Sequence, residues 1–469
     1  MKKLLTSILA LSCVVSVAKE SQAGLLDGIA NRFCDTFPWL CRDNHADNVG
    51  GGITFRRWTV ADGVVGAAYN SLADVDGDGL TDIIVTTFGE KVAMAGEIQI
   101  YYNNGTGFLG EDNWQREKVV PWHKEYLCFP NEVSAEDIDG DGDVDLFAPS
   151  GFIPCAANPI YLGKWGLAWY EQTCSEWKRH EIVPYKNDDL HDFFHKAIFV
   201  DVDQDGIKDL VTVGEMKNTS GDVWAKTMWF KGNGSIDRFE KDARVIGQGG
   251  GGLPVIYDID QDGDIDVFSA QYFGYLADKA LGKTPASFVW FEMVELPTLT
   301  NPNGQWEKHV ISTRCGPSIQ FALVKNLLGD GKLGAIGANH TNIDMNPEWV
   351  KEALYSFEIP ENFAQPSPQT VVSDAFDSRN IKNHGSPDVI AHGDIDRNGL
   401  IDIAVSGDGE PAIYLVKQTR PGEFETFVLD DGNVGQAGIS MGDLNGDGML
   451  EIIVSTYDGG AVYAYEAVR

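Results

Sequence analysis

The chain has 469 residues, with 36 basic side chains against 70 acidic ones, a formal net charge of −34 and 43% hydrophobic residues. So acidic a balance argues against a nucleic-acid partner or binding to an anionic membrane surface. Cations, carbohydrates and proteins remain as partners.

In chain order, Met1-Lys2-Lys3, the apolar stretch from Leu4 to Ala18 and the small-residue site Ser21-Gln22-Ala23 read as a secretory signal peptide over residues 1–23. No later run approaches the roughly 18 apolar residues needed to cross a bilayer. The expectation is therefore an exported protein, extracellular or periplasmic, with no membrane insertion. Residues 24–50 read as a short helical or irregular extension, and composition is uniform over 51–469. Six cysteines follow the leader: Cys34, Cys41, Cys128, Cys155, Cys174 and Cys315. An even count in an exported chain suits disulfides. Cys34 with Cys41 and Cys128 with Cys155 are the pairings that proximity favours.

From Asp74 onward an acidic nonamer, Asp-x-Asp-x-Asp-Gly-x-x-Asp, recurs and each time runs into an apolar strand. Four copies are complete: Asp74, Asp76, Asp78 and Asp82; Asp137, Asp139, Asp141 and Asp145; Asp201, Asp203, Asp205 and Asp209; Asp258, Asp260, Asp262 and Asp266. Two more exchange oxygen donors, as Asp394, Asp396, Asn398 and Asp402 and as Asp443, Asn445, Asp447 and Glu451. A vestige at Asn326 keeps Asp330 and Gly331 but has Leu328 and Gly334 where acids stand elsewhere. Successive copies start 63, 64, 57, 68, 68 and 49 residues apart, a repeat of the size of a four-stranded propeller blade.

Each unit follows one script. A small-residue strand leads into the loop, an apolar strand such as Ile83-Ile84-Val85 leaves it, and an aromatic strand and a polar alternating strand follow. The last unit stops after its aromatic strand, while Ile53 to Val60 is a surplus strand patterned like the missing one. Pairing the two would remove both open edges. The predicted fold is all-β: a seven-bladed β-propeller closed by an N-terminal strand joining the last blade.

In such a loop, side chains one, three, five and nine and the carbonyl of residue seven converge on one hard cation, and glycine at six permits the turn. Position twelve of the first copy is Val85, inside a strand, so this is not an EF-hand. An all-oxygen set points to calcium rather than zinc or copper. Six structural calcium sites are expected. Asp and Gly also make good turns without an ion, but 22 of the 70 acids stand at the ligand positions of six loops, where they repel one another unless a cation is bound.

These loops and strands resemble the FG-GAP/VCBS repeats of integrin alpha-subunit propellers and many secreted microbial proteins, over about Ile53 to Arg469. The resemblance implies a calcium-bearing propeller. It does not choose a function, because such propellers serve as adhesion modules, lectins and sometimes carbohydrate-active enzymes, including polysaccharide lyases and aldos-2-ulose dehydratase.

A ligand is expected at one mouth of the central channel, on residues that depart from the repeat: Trp122, His123, His191, His195, Lys196, Arg314 and His384, with Tyr272 nearby. Aromatic faces stack on sugar rings and cations pair with carboxylates or sulfates. His180 and His309 recur in the motif Trp-x-x-His-x-Ile and read as structural. The leading expectation is a monomeric recognition module for carbohydrate or a surface glycoprotein. The alternatives are a lyase or dehydratase working at the same mouth, and a protein-binding adhesion module.

Overall fold

The apolar run leaving each acidic loop becomes the second strand of a four-stranded antiparallel sheet, sandwiched between neighbouring sheets. In the first blade the order from the axis outward is Ala67–Ala73, Asp82–Thr87, Glu97–Asn103 and Trp114–Val120. Every residue of Asp82–Thr87 is buried, whereas Trp114–Val120 exposes its middle. Those burial patterns explain the sequence script. A strand covered on both faces reads as continuous apolar sequence, and the outermost strand is largely polar because its middle meets water.

The computed structural model describes residues 46–50, 52–89, 96–107, 109–120, 127–152, 155, 165–183, 193–217, 223–235, 238–340, 352–359, 366–376, 387–407, 412–432, 434 and 437–468. The propeller unit runs from Asp47 to Arg469. It contains seven sheets, six of four strands and one of five. The innermost strands of several blades line one axial cavity of about 330 Å³, through Tyr69, Lys196, Gln320, His392 and Ser440 among others.

The ring closes as expected. Ile53–Asp62 pairs antiparallel with Ala461–Val468, from Thr54 opposite Val468 to Asp62 opposite Ala461. Arg57 reinforces the joint, with Nη1 2.8 Å from Asp430 Oδ2 and its guanidinium 4.8 Å from the centre of the Tyr463 ring. Trp58 Nε1 donates to Glu466 across the same pair of strands. The five-stranded sheet corrects one expectation: Ala46–Gly50, assigned to an irregular extension, is an additional outer strand. Its sequence, Ala-Asp-Asn-Val-Gly, shows no alternation. The bare edge of Ile53–Asp62 offers backbone partners that need none.

The core is a set of blade-to-blade contacts. Trp58, Val60, Ile83, Val85, Tyr101, Val462 and Ala464 join the last blade to the first. Ile138, Phe147, Trp169, Phe194 and Leu210 do the same between the second and third. Each such large side chain contributes about 1.5–3 kcal/mol by leaving water. His180 and His309 stack on Trp169 and Trp290 at 4.2 and 4.4 Å between ring centroids, in keeping with the structural reading.

Two further differences stand out. A helix of eight residues, Phe273–Ala280, follows the second strand of the fourth blade. It buries Phe273, Tyr275 and Leu276 with Ala225 of the third blade. Cys128 and Cys155 form the expected disulfide, with Cα atoms 6.0 Å apart. Cys174 and Cys315, for which the sequence suggested no pairing, are not bridged. They belong to different parts of the ring: Cys174 is exposed beyond the strand Gly166–Gln172, and Cys315 is buried against Ser312 and Gln369. Cys34 and Cys41 lie outside the described residues.

Candidate functional site

Alternating strand direction sorts the loops onto two faces. The acidic nonamers lie on one, and the blade-to-blade crossovers and the loops after second strands lie on the other. In six of the seven copies the residue at position one accepts from the glycine N–H at position six, while Asp137 accepts from Gly140 at position four. Examples are Gly79 to Asp74 at 2.9 Å, Gly206 to Asp201 at 2.9 Å and Gly448 to Asp443 at 2.7 Å. Position five accepts from the N–H of position seven, as from Leu80 to Asp78 at 2.8 Å. The vestige keeps both bonds, Gly331 to Asn326 at 2.7 Å and Lys332 to Asp330 at 3.0 Å. It is therefore the same turn with a single acid, Asp330.

Position nine has a role that the motif alone does not reveal. Asp82 is buried and accepts from Val75 N–H on one oxygen and Asn103 N–H on the other, both at 2.8 Å. Asp145, Asp209, Asp266 and Asp402 repeat this clamp between loop and third strand. Position four was missed as well. It has positive φ in every loop, as glycine in four and as Gln204, Gln261 and Arg397 in three, at 57°, 63° and 55°. A side chain in that region costs about 1–2 kcal/mol.

The loops could hold a hard cation. One oxygen from each of Asp74, Asp76 and Asp78 lies within 4.8 Å of the others, as do oxygens of Asp137, Asp139 and Asp145, of Asp201, Asp203 and Asp209, and of Asp258, Asp260 and Asp262. Buried Oδ1 atoms of Asp74, Asp203, Asp258 and Asp396 have no hydrogen-bond partner. Burial raises the position-nine carboxyls, with nearby loop carboxylates adding and the backbone N–H bonds opposing. Asp82, Asp145, Asp209 and Asp402 rise to about 6, Asp266 to about 7 and Glu451 to about 8. Unsatisfied carboxylate oxygens with no soft ligand fit calcium in coordination chemistry.

On the opposite face, sequence neighbours part company. His195 and Lys196 share the inner strand Phe193–Val200 of the third blade, but adjacent side chains on a strand point to opposite sides. His195 is buried, its Nε2 3.0 Å from Glu215 Oε2. Lys196 lines the axial channel, where Glu132 pairs with its amine. Neither is presented as an uncompensated cation at the mouth. Arg314 is exposed on the crossover between blades four and five. Trp122, His123, His191 and His384 lie outside the described residues.

The structure brings Tyr272, named from the sequence, together with two groups that were not, His340 and Asp388. Tyr272, just before the helix of blade four, lies 4.8 Å from the His340 ring in an edge-on arrangement. His340 follows the second strand of blade five, and its Nδ1 bonds Asp388, just before the inner strand of blade six. Glu215 is the link toward blade three, accepting from Phe273 N–H at 3.2 Å. Three successive blades thus contribute one aromatic ring, one imidazole and one carboxylate. The available signal was that His340 ends the small-residue strand Leu333–Asn339 with a large polar side chain. Its partner is 48 residues away.

This architecture defines a seven-bladed β-propeller. The model of the FG-GAP-like repeat matches residues 74–148 and 394–454. Among solved structures, an exotype rhamnogalacturonan lyase is similar at 15% identity and TM-score 0.44, over 90% of this chain and 74% of that one. A rhamnogalacturonan lyase from Bacillus licheniformis gives 13% and 0.43 over the same shares. The soluble aldose sugar dehydrogenase from Escherichia coli gives 8% and 0.38, over 88% of this chain and 99% of that one. Likeness at this level says nothing of chemistry. No curated protein matches significantly.

Proposed function

We propose that the protein is an exported, calcium-stabilised propeller that recognises carbohydrate or a surface glycoprotein at the mouth opposite its acidic loops. The observation that carries the reading is the meeting of Tyr272, His340 and Asp388 from three consecutive blades. An aromatic ring beside fixed polar groups matches a pyranose, which offers an apolar face rimmed by hydroxyls. The Cys128–Cys155 disulfide supports an oxidising compartment. Among the described residues no helix is long and apolar enough to cross a membrane. In this reading the acidic loops hold the scaffold and do not touch the ligand.

One observation favours a second reading, catalysis at the same mouth. A carboxylate bonded to Nδ1, as Asp388 is to His340, fixes the imidazole tautomer in the way a general base requires. A glycan array separates the two. The recognition reading expects binding without turnover, and Tyr272→Ala or Asp388→Asn should weaken it about tenfold. Unsaturated product absorbing at about 235 nm from a uronate polysaccharide, lost in His340→Ala, would replace recognition by lyase chemistry. Silence in both assays would overturn the carbohydrate reading in favour of a protein partner.

A further inference from the structure

The six acidic loops do not all face the same neighbour. The backbone N–H groups of Asn103, Gln172, Gly232, Met293 and Gln418 bond the position-nine carboxylates, which aligns the third strands of five blades. The residue before each, overlooking the loop, is Tyr102, Glu171, Lys231, Glu292 or Lys417. In blade seven the pairing of Ile452 with Tyr465 puts Glu466 there.

At two of these positions a lysine reaches into the loop. Lys231 Nζ bonds Asp203 and lies 2.6 Å from Asp205 Oδ2. Lys417 Nζ lies 2.8 Å from Asp396 Oδ2, with the residue only 7% exposed. These carboxylates occupy positions three and five, which a cation in the loop would need. In the other blades the same position leaves the loop carboxylates unpaired. Tyr102 bonds Glu117, Glu171 is held by Lys178 and His180, Glu292 by His309 and Glu466 by Trp58. Among the described residues no lysine or arginine forms an ion pair with a carboxylate of the loops at Asp74, Asp137, Asp258 or Asp443.

An ammonium and a divalent cation compete for the same oxygens, but the tethered ammonium needs no capture from solution. It also lowers the loop's charge, the main determinant of calcium affinity. We infer that Lys231 and Lys417 are built-in counter-cations, so that the loops at Asp201 and Asp394 are closed by lysine and calcium goes to the other four. The inference rests on the calcium reading above and narrows it from six sites.

The test counts calcium on the full-length chain after exhaustive chelation and dialysis against low-micromolar free calcium. The expected result is about four ions per chain, about five in Lys231→Met or Lys417→Met and about six in the double variant. The converse variant Tyr102→Lys should lose one ion, which keeps the test sharp if a methionine variant does not fold. Six ions in the parent chain, or an unchanged count in the folded variants, would overturn the inference while leaving calcium binding intact. No calcium in any variant would overturn both.

Discussion

On the acidic-loop face, the bond from the N–H of position seven to position five recurs in all seven nine-residue turns, down to the copy at Asn326 that keeps a single acid. On the opposite face the crossovers and the loops after second strands carry blade-specific residues: the helix Phe273–Ala280, the Cys128–Cys155 bridge and the meeting of Tyr272 with His340 and Asp388. Repetition marks what every blade needs in order to fold. Departure from repetition marks what the molecule needs only once. On the function proposed above, the acidic face serves as scaffold and the less patterned face takes the ligand.

That division can be broken by experiment. The largest effect belongs to neither face. Deleting residues 46–62 removes the strands closing the ring, and should leave no folded monomer by circular dichroism and sedimentation. Next is Asp266→Ala, which strands the buried N–H groups of Ile259 and Met293. It should cost about 4 kcal/mol in chemical denaturation, with mouth binding unchanged in the folded fraction. On the other face, Cys128→Ser with Cys155→Ser opens a loop of sequence separation 27. About 3.5 kcal/mol should be lost, together with altered mouth binding. If the Asp266 variant loses binding while folded, the separation of roles fails.

Smaller effects sharpen the picture. Chelation should lower the melting temperature by several degrees, since an ion held at a hundred times its Kd adds about 2.7 kcal/mol. In chelator, stability should fall as pH rises from about 4 toward 7. The position-nine carboxyls have raised pKa values when folded, so the unfolded chain loses those protons first and is favoured as pH climbs. Saturating calcium should flatten that slope, and equal slopes with and without calcium would count against ion binding in these loops. The smallest change is Gln261→Gly. Its φ of 63° suits glycine, and the melting curve should rise by about 1 kcal/mol of stability.

The sequence carried the blade count because the acidic nonamer is local and recurs at a blade-sized interval. It also carried the closure, since Ile53 to Val60 had the pattern the last blade lacked. What it hid depends on register. The lysines at positions 231 and 417 look like ordinary surface residues until strand pairing places them over a loop. His340 and Asp388 become partners only when neighbouring blades are docked. Ala46–Gly50 and the eight-residue helix are short, and each takes its form from the surface it lies on. His195 and Lys196 looked like one cluster because adjacency in sequence was read as adjacency in space, which a strand contradicts.

The closing joint also bears on how the molecule is made. Trp58 and Glu466 bond across 408 positions of chain, so one of the first strands synthesised must wait for one of the last. Bringing such distant segments together carries a high loop-closure entropy and makes for slow folding. Until then a nearly finished ring has two bare strand edges. Those edges stay uncovered until Ala461–Val468 docks against Ile53–Asp62.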